Sequence, residues 1–282
     1  MMIIYLNGSF IPLEEAKLSP FDRGFLFADG VYEAIRTYNG KLFRLEDHLS
    51  RLKRSLLSIE IEYNEVDQLD SIIYKLIEKN HFASENIFIY LQITRGSSLT
   101  RTHHFPDSTI STIFITTNEI KDNDDKRNKG VKVITTEDLR WKRCDIKSIS
   151  LLPAVLAKQK AHENSAEEAI LVRDGVITEG THTNFFAVRN NTVYTAPEGN
   201  FILSGITRKV VIELCNKLDI KVKEEFIKTD KLKSFDEYFI TSTTKEITPV
   251  AQINDWETGE KVPGEITQRL LDAFIELTSK LK

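Results

Sequence analysis

Residues 29–57 have the sequence DGVYEAIRTYNGKLFRLEDHLSRLKRSLL, and two patterns in this stretch decide the predicted fold of the first half of the chain. Asn39-Gly40 supplies the positive backbone angles of a two-residue turn, so Val31–Tyr38 and Lys41–Arg44 are predicted to pair as a β-hairpin. From Leu45 onward the apolar residues recur with a helical period. The stretch therefore predicts a hairpin followed by a helix.

The residues on either side repeat both patterns. A hairpin is predicted at residues 3–13, where Asn7-Gly8 separates two β-type runs. A second helical period covers residues 66–77 and precedes the β-rich run Asn86–Thr94. Together these elements predict a small α+β domain over residues 1–120.

The sequence changes character at residues 121–130, KDNDDKRNKG, which contain no apolar side chain that could join a core. This segment is predicted to be a linker, and residues 131–282 are predicted to form a larger domain of mixed α/β type. The β-type runs of this domain are Val131–Thr135, Ala169–Val172, Asn184–Val188 and Tyr238–Thr241, and the helical patterns are Leu151–His162, Thr207–Leu218 and Ile266–Leu281.

The composition of the 282 residues is that of a globular protein, with 41% hydrophobic and 28% charged residues. A formal net charge of -4 leaves no basic excess for an anionic polymer or surface, so nucleic-acid and membrane partners are not expected. The two cysteines, Cys144 and Cys215, are too few for a disulfide framework and favour a reducing compartment. The chain is therefore predicted to be cytoplasmic.

Lys147 is a candidate catalytic amine, in the run Arg143–Ser148 just before a predicted helix. A lysine amine is a nucleophile only when it is unprotonated, and an unperturbed lysine is almost fully protonated at pH 7. The neighbours Ile146 and Ile149 are compatible with the partial burial that favours the neutral amine. The alternative is a surface lysine between a strand and a helix.

Glu179 is a candidate catalytic acid, where the β-type run from Val176 leads into a turn rich in hydroxyl and amide groups that ends at Asn184. A carboxylate at such a place could keep the nitrogen of a pyridine ring protonated. The alternative is a turn glutamate in water.

Donors for a phosphate group are predicted in Ser204–Arg208, because Gly205 permits close backbone approach and Thr207 opens a helix whose amides attract anions. Ser242–Thr244 adds hydroxyl groups and Arg51 adds a positive charge. The alternatives are a helix cap at Ser204, a hydroxyl-rich strand end and a solvated helix face.

An amine, an acid for the ring nitrogen, phosphate donors and a cation for the substrate carboxylate are the groups that pyridoxal phosphate requires. The sequence contains candidates for all four, which indicates an enzyme with this cofactor. Phosphate-loop, serine-hydrolase and zinc-protease motifs do not occur in the sequence, and no metal site is predicted.

Seven short runs occur in the order seen in fold-type IV pyridoxal-phosphate enzymes, and the chain resembles this family over nearly its whole length. Within the family it is most similar to the bacterial D-amino acid aminotransferases, because Arg101-Thr102-His103 follows Thr94-Arg95-Gly96 as in the loop that traps the substrate carboxylate in those enzymes. The seven runs are Asp22–Gly24, Asp29–Glu33, His48–Leu52, Arg143–Ser148, Glu179-Gly180 with Asn184, Gly205–Arg208 and Ser242–Thr244.

The resemblance implies a homodimer of two-domain subunits, each with a small α+β domain and a larger C-terminal pseudo-barrel domain. It places the active site between the domains, with the Arg101–His103 loop reaching in from the partner subunit. It also implies individual roles: Lys147 forms the Schiff base, Glu179 pairs with the pyridine nitrogen, Arg51, Ile206, Thr207 and Thr243 hold the phosphate with Ser242 beside them, Leu203 packs on the ring, and Tyr32, Arg101 and His103 receive the substrate α-carboxylate.

The activity implied is transamination between a D-amino acid of the D-alanine type and a 2-oxo acid such as 2-oxoglutarate. A branched-chain L-amino acid aminotransferase and an aminodeoxychorismate lyase are alternatives on the same fold, and a non-catalytic binding protein is a third. The sequence departs from the family pattern at Ala28, Ser150, Pro153 and His182, and the Gly96–Arg101 loop is one residue longer. The longer loop and His182 bear on the substrate range.

Overall fold

The computed structural model describes residues 2–83, 85–120 and 124–281. The chain divides into two compact units. The first comprises Met1–Ile120, Ile146–Ser150 and Leu281–Lys282, and the second comprises Lys121–Asp145 and Leu151–Lys280. None of the helices in these described ranges has the length and apolar character needed to cross a membrane.

The first unit is built on an antiparallel six-stranded sheet. Both predicted hairpins are confirmed: Asn7-Gly8 and Asn39-Gly40 form their turns with the positive φ angles that the Asn-Gly sequence favours. The strands are β1 (Ile3–Leu6), β2 (Ser9–Pro12), β3 (Gly30–Tyr38), β4 (Lys41–Leu42), β5 (Ile87–Thr94) and β6 (Thr112–Glu119), and their order in the sheet is β2-β1-β6-β5-β3-β4.

Two amphipathic helices, α2 (Leu45–Ser58) and α3 (Leu69–Lys79), share one hydrophobic core with this sheet. The buried residues of β5 alternate along the strand, so one face of the sheet lies against the core. The short helix α1 (Arg23–Phe27) ends at Ala28, whose φ of 54° is left-handed and favours glycine. The glycine that the resemblance implies at this position would suit this backbone angle.

The second unit contains a nine-stranded mixed sheet. The strands are β7 (Val131–Glu137), β8 (Glu168–Arg173), β9 (Val176–Gly180), β10 (Asn184–Arg189), β11 (Thr192–Thr195), β12 (Lys221–Glu224), β13 (Glu237–Ser242), β14 (Glu246–Ile253) and β15 (Trp256–Glu257), in the order β12-β11-β10-β13-β14-β7-β8-β9 with β15 on β14. Strand β7 pairs in parallel with both of its neighbours. The end of β9 lies close to β10, where Gly180 N donates to O of Thr183, the residue before β10, and the sheet curls as the expected pseudo-barrel requires.

The second unit also contains the helices α4 (Asp124–Lys129), α5 (Leu152–Glu163), α6 (Ile206–Lys217) and α7 (Glu265–Ser279). Helix α4 falls within the segment predicted as a linker, and Arg127 of this helix pairs with the buried Glu246 at 2.8 Å. This part of the segment is therefore held by charge pairing even though it lacks apolar residues, while Lys121–Asn123 lie outside the described residues.

The segment Ile146–Ser150 belongs to the first unit, whereas the sequence assigned it to the larger domain. Two neighbours of Lys147 hold this segment in the first unit. Ile146 is buried in the core of the first unit, and Ile149 N donates to Gly30 O at 3.1 Å. The ranges 1–120 and 131–282 stay a prediction as domain boundaries.

Candidate active site

Lys147 is held against strand β3 by its backbone. Tyr32 N donates to Lys147 O at 3.0 Å, Lys147 N donates to Ser55 Oγ at 3.2 Å, and Val31 forms a β-bridge with Ser148. The side chain is half-buried, with Nζ 4.2 Å from the centroid of the Tyr32 ring. Lys147 and Tyr32 are thus brought together, and the backbone on both sides of the amine is fixed.

Arg51 lies in a buried ion pair with Glu33. Its Nε and Nη2 donate to the two carboxylate oxygens of Glu33 at 2.8 Å each, and His48 Nδ1 lies 2.7 Å from Glu33 Oε2. The alternative of a solvated helix face is wrong, because only 4% of the Arg51 side chain is exposed.

The charges within this group are asymmetric. Burial alone raises the pKa of Glu33, but the Arg51 guanidinium and its hydrogen bonds hold that pKa well below its usual range. Burial lowers the pKa of His48, against the raising effect of Glu33. At neutral pH the group therefore consists of a carboxylate, a guanidinium and a neutral imidazole, and Glu33 fixes the orientation of Arg51.

Glu179 is buried in the second unit and not a turn glutamate in water. Arg140 Nη1 donates to Glu179 Oε1 at 2.6 Å, while Asn184 Nδ2 and Leu203 N both donate to Oε2 at 3.1 Å. Burial raises the pKa of Glu179 to about 7, although Arg140 and the Leu203 amide favour the charged form. Both carboxylate oxygens of Glu179 therefore have fixed positions, and a protonated group beside them would stabilise the charged form of Glu179.

Arg140 and its partner Asp138 were not predicted from the sequence as site residues. Arg140 Nε donates to Asp138 Oδ1 at 2.9 Å and Arg140 Nη2 donates to Asp138 Oδ2 at 2.9 Å. Arg173 and Thr178 also contact Asp138 Oδ2, each at 3.1 Å. The only sequence signal was a pair of opposite charges two residues apart after a β-type run, which is common on surfaces. Asp138 thereby fixes the guanidinium that contacts Glu179.

Helix α6 begins at Ile206, one residue before the predicted start, and Gly205 is its N-cap without a side-chain hydrogen bond. The N-cap position is thus one residue after Ser204. A Cβ at Gly205 would lie 2.0 Å from Asn184 Oδ1, so only glycine allows this close packing. The first amides of a helix lack partners within the helix, and an anion suits them. Thr207 is buried beside them.

Ser242 and Thr243 are half-buried at the end of β13, and Ser242 Oγ accepts a hydrogen bond from Lys245 N at 3.1 Å.

His182 is one of the departures from the family pattern. Its Nδ1 lies 3.0 Å from Oε2 of the fully buried Glu168, which also accepts from Thr181 and Thr183. The turn after Glu179 is thereby fixed through Glu168.

Arg101 and His103 are exposed and meet at one aromatic ring of the first unit. The Arg101 guanidinium carbon lies 4.8 Å from the centroid of the Phe27 ring, and the His103 ring contacts the same ring edge-on at 5.5 Å. The structure brings these two predicted residues together. Of the predicted site residues, Tyr32, Arg51, Arg101, His103 and Lys147 lie on the first unit, and Glu179, Leu203, Ile206, Thr207, Ser242 and Thr243 lie on the second.

Comparison with known proteins gives one family and several relatives. The family model of amino-transferase class IV matches residues 30–253. A D-alanine aminotransferase of Bacillus licheniformis is 40% identical over 275 residues, which cover 97% of this chain and 96% of that relative. The structure of the Escherichia coli branched-chain amino acid aminotransferase matches with a TM-score of 0.90 at 25% identity, covering 98% of this chain and 94% of that chain. The PLP-form of the Thermobaculum terrenum branched-chain aminotransferase matches with a TM-score of 0.86 at 26% identity, with the same coverage of 98% and 94%.

Proposed function

The chain belongs to the class IV aminotransferases, and from this membership we propose that it transfers the amino group of a D-amino acid, of the D-alanine type, to a 2-oxo acid such as 2-oxoglutarate. The observation that carries the choice of D-amino acid is the Arg101–His103 pair on one ring, together with the 40% identity to a D-alanine aminotransferase. The branched-chain alternative is less well supported, since the matching branched-chain aminotransferase structures are 25–28% identical.

Aminotransferases of this class use pyridoxal phosphate, and the residues present fit it. The buried Glu179, with a pKa near 7, suits a protonated ring nitrogen, and the Gly205 cap with Thr207 behind it suits a phosphate. We assign covalent attachment to Lys147, the ring nitrogen to Glu179 and the ring face to Leu203. We assign the phosphate to Arg51, Ile206, Thr207 and Thr243, with Ser242 beside it.

When bound, pyridoxal phosphate takes up the amino group of the donor and accepts the electron pair released when the Cα–H bond breaks. Lys147 Nζ removes the proton from the substrate Cα, and the Tyr32 ring at 4.2 Å limits the positions that Nζ can reach. Glu179 holds a proton on the ring nitrogen, with its oxygens oriented by Arg140, Asn184 and Leu203.

Substrate selection is assigned to Tyr32, Arg101 and His103. A guanidinium can hold a carboxylate in two parallel hydrogen bonds, and His103 adds a donor two residues away. Once the substrate carboxylate is fixed on one side of Cα, the configuration at Cα decides where the substrate side chain and the Cα hydrogen point. The Arg101–His103 pair, which the family resemblance places at the active site of the partner subunit, therefore determines which enantiomer presents its hydrogen to the Schiff-base lysine there.

The test is a coupled assay of purified protein with D-alanine or L-leucine as donor and 2-oxoglutarate as acceptor, on wild type and Arg101→Ala. We expect wild type to prefer D-alanine. We expect Arg101→Ala to lower kcat/KM for D-alanine at least about tenfold, since a charge-assisted hydrogen bond contributes about 1.5–3 kcal/mol. His104→Ala, at an exposed neighbour outside the assigned site, is the matched control and should keep wild-type kinetics. Faster turnover of L-leucine by wild type would contradict the proposal.

The proposal also includes a homodimer in the cytoplasm. The homodimer rests on the family resemblance. The cytoplasmic location rests on cysteine usage, and both Cys144 and Cys215 are free and buried.

A further inference from the structure

Two of the three residues assigned to the substrate carboxylate, Arg101 and His103, lie on a loop without regular secondary structure, between β5 and β6. Arg101 and His103 are both exposed, so burial in a core does not fix their orientation. A flexible arginine that is ordered only on binding loses affinity through lost conformational entropy. Contacts that hold these two side chains in place before substrate binds therefore raise the affinity.

Arg23 binds the backbone of this loop. It is buried, with Nη1 donating to Thr102 O at 2.8 Å and Nη2 to His103 O at 3.4 Å. These carbonyls belong to the residue between the two substrate-binding side chains and to His103 itself. The Arg23 guanidinium carbon also lies 4.7 Å from the centroid of the Phe27 ring. One ring is therefore in contact with Arg23, Arg101 and His103.

Asp29 fixes Arg23 in turn. Its Oδ2 accepts from Arg23 Nε at 2.8 Å and from Arg95 Nε at 2.8 Å, and its Oδ1 accepts from Arg95 Nη2 at 3.0 Å. Arg95 is anchored to the carbonyls of Ile59 and Glu60, and its guanidinium stacks at 3.6 Å on the ring of Phe105, two residues beyond His103. The Asp29 carboxylate is thus connected to the loop in two ways, through Arg23 at residues 102–103 and through Arg95 at Phe105.

From these contacts we propose that Arg23, Phe27 and Asp29 form a seat for the Arg101–His103 pair and determine substrate affinity as positioning residues, without contacting the substrate. The proposal rests on the function proposed above. It identifies the residues that hold the Arg101–His103 pair in place before the substrate carboxylate binds. In this seat, Arg23 binds the Thr102 and His103 carbonyls, the Phe27 ring contacts the Arg101 and His103 side chains, and Asp29 fixes Arg23.

The first test compares steady-state constants of the holoenzyme for D-alanine in wild type and Arg23→Gln. We expect KM to rise about tenfold while kcat stays within about twofold, because the lost interaction aids binding in the ground state and the transition state alike. Arg23→Lys keeps the charge and one donor and should give an intermediate KM. Arg36→Gln is the matched control, since Arg36 is another buried arginine that stacks on a tyrosine of the same strand, at 4.5 Å. The control should leave KM unchanged.

A second pair of variants keeps the test usable if Arg23→Gln fails to fold. Phe27→Leu removes the aromatic contacts with little change in apolar character, and Phe27→Tyr retains the ring. We expect KM for D-alanine to rise in the first variant and to stay near wild type in the second. Equal KM values in both variants would remove Phe27 from the seat.

A double-mutant cycle distinguishes positioning from a general structural effect. In a variant with Arg101→Ala and His103→Ala, adding Arg23→Gln should change KM by less than about twofold, because residues that act through one another are not additive. Amide hydrogen exchange of residues 97–106 should accelerate in Arg23→Gln and not in Arg36→Gln. Additive losses, or unchanged exchange of this loop, would overturn the seat. Wild type without D-alanine activity would instead overturn the function on which it rests.

Discussion

Lys147→Ala is expected to lower kcat/KM for D-alanine at least about a thousandfold, since the variant loses both the nucleophilic amine and the base for the Cα proton. The purified wild type should be yellow, whereas the variant should bind pyridoxal phosphate without a covalent bond. Lys142→Ala, at an exposed lysine five residues earlier, is the matched control and should retain activity and colour.

The attachment site can be identified directly. Borohydride reduction of the yellow protein should leave a pyridoxyl group on one peptide, and that peptide should contain Lys147. The assignment is wrong if the label is found on any other peptide, or if Lys147→Ala is labelled as strongly as wild type.

Glu179→Gln is expected to slow the half-reaction with D-alanine by about 100- to 1000-fold, because it removes a preorganised charge worth about 3–4 kcal/mol in the transition state. The variant keeps the shape of the side chain, so folding and some cofactor binding should persist. Rapid mixing with D-alanine, followed by absorbance of the bound cofactor, measures this rate.

The matched control for Glu179→Gln is Glu246→Gln. Glu246 is a second buried glutamate of the same unit and also pairs with an arginine, Arg127, at 2.8 Å. The control variant should be less stable but should keep the wild-type rate of the half-reaction. Near wild-type turnover in Glu179→Gln would remove Glu179 from the mechanism.

Local sequence signals were sufficient for much of the fold. Asn-Gly pairs gave both hairpins, because few other sequences favour two consecutive positive φ angles, and the helical periods placed α2, α3, α5, α6 and α7 to within a few residues. Strand β6 was not predicted, although its buried residues alternate. Helix α4 was also missed, because charge pairs with distant residues hold it and no apolar period marks it.

The candidate site was less accessible from sequence for a physical reason. Lys147 and Glu179 were singled out as titratable residues beside turns and were placed through the family resemblance. Buried charges such as Glu33 and Asp138 depend on partners that no local pattern identifies. Arg51 is distant in sequence from Glu33, and a pair of opposite charges two residues apart, such as Asp138 and Arg140, is common on surfaces. The seat under Arg101 is of the same kind, since no local pattern connects Arg23 with a loop some eighty residues later.

The preference for a D-amino acid can be measured by a single-turnover titration of the pyridoxal form of the protein with D-alanine and, separately, with L-alanine. The two donors differ only in configuration, so composition, charge and size of the substrate are matched. We expect D-alanine to remove the visible absorbance of the bound pyridoxal form and to release one equivalent of pyruvate, and L-alanine to cause neither change on the same time scale. Conversion by L-alanine at a rate equal to or above that of D-alanine would contradict this preference.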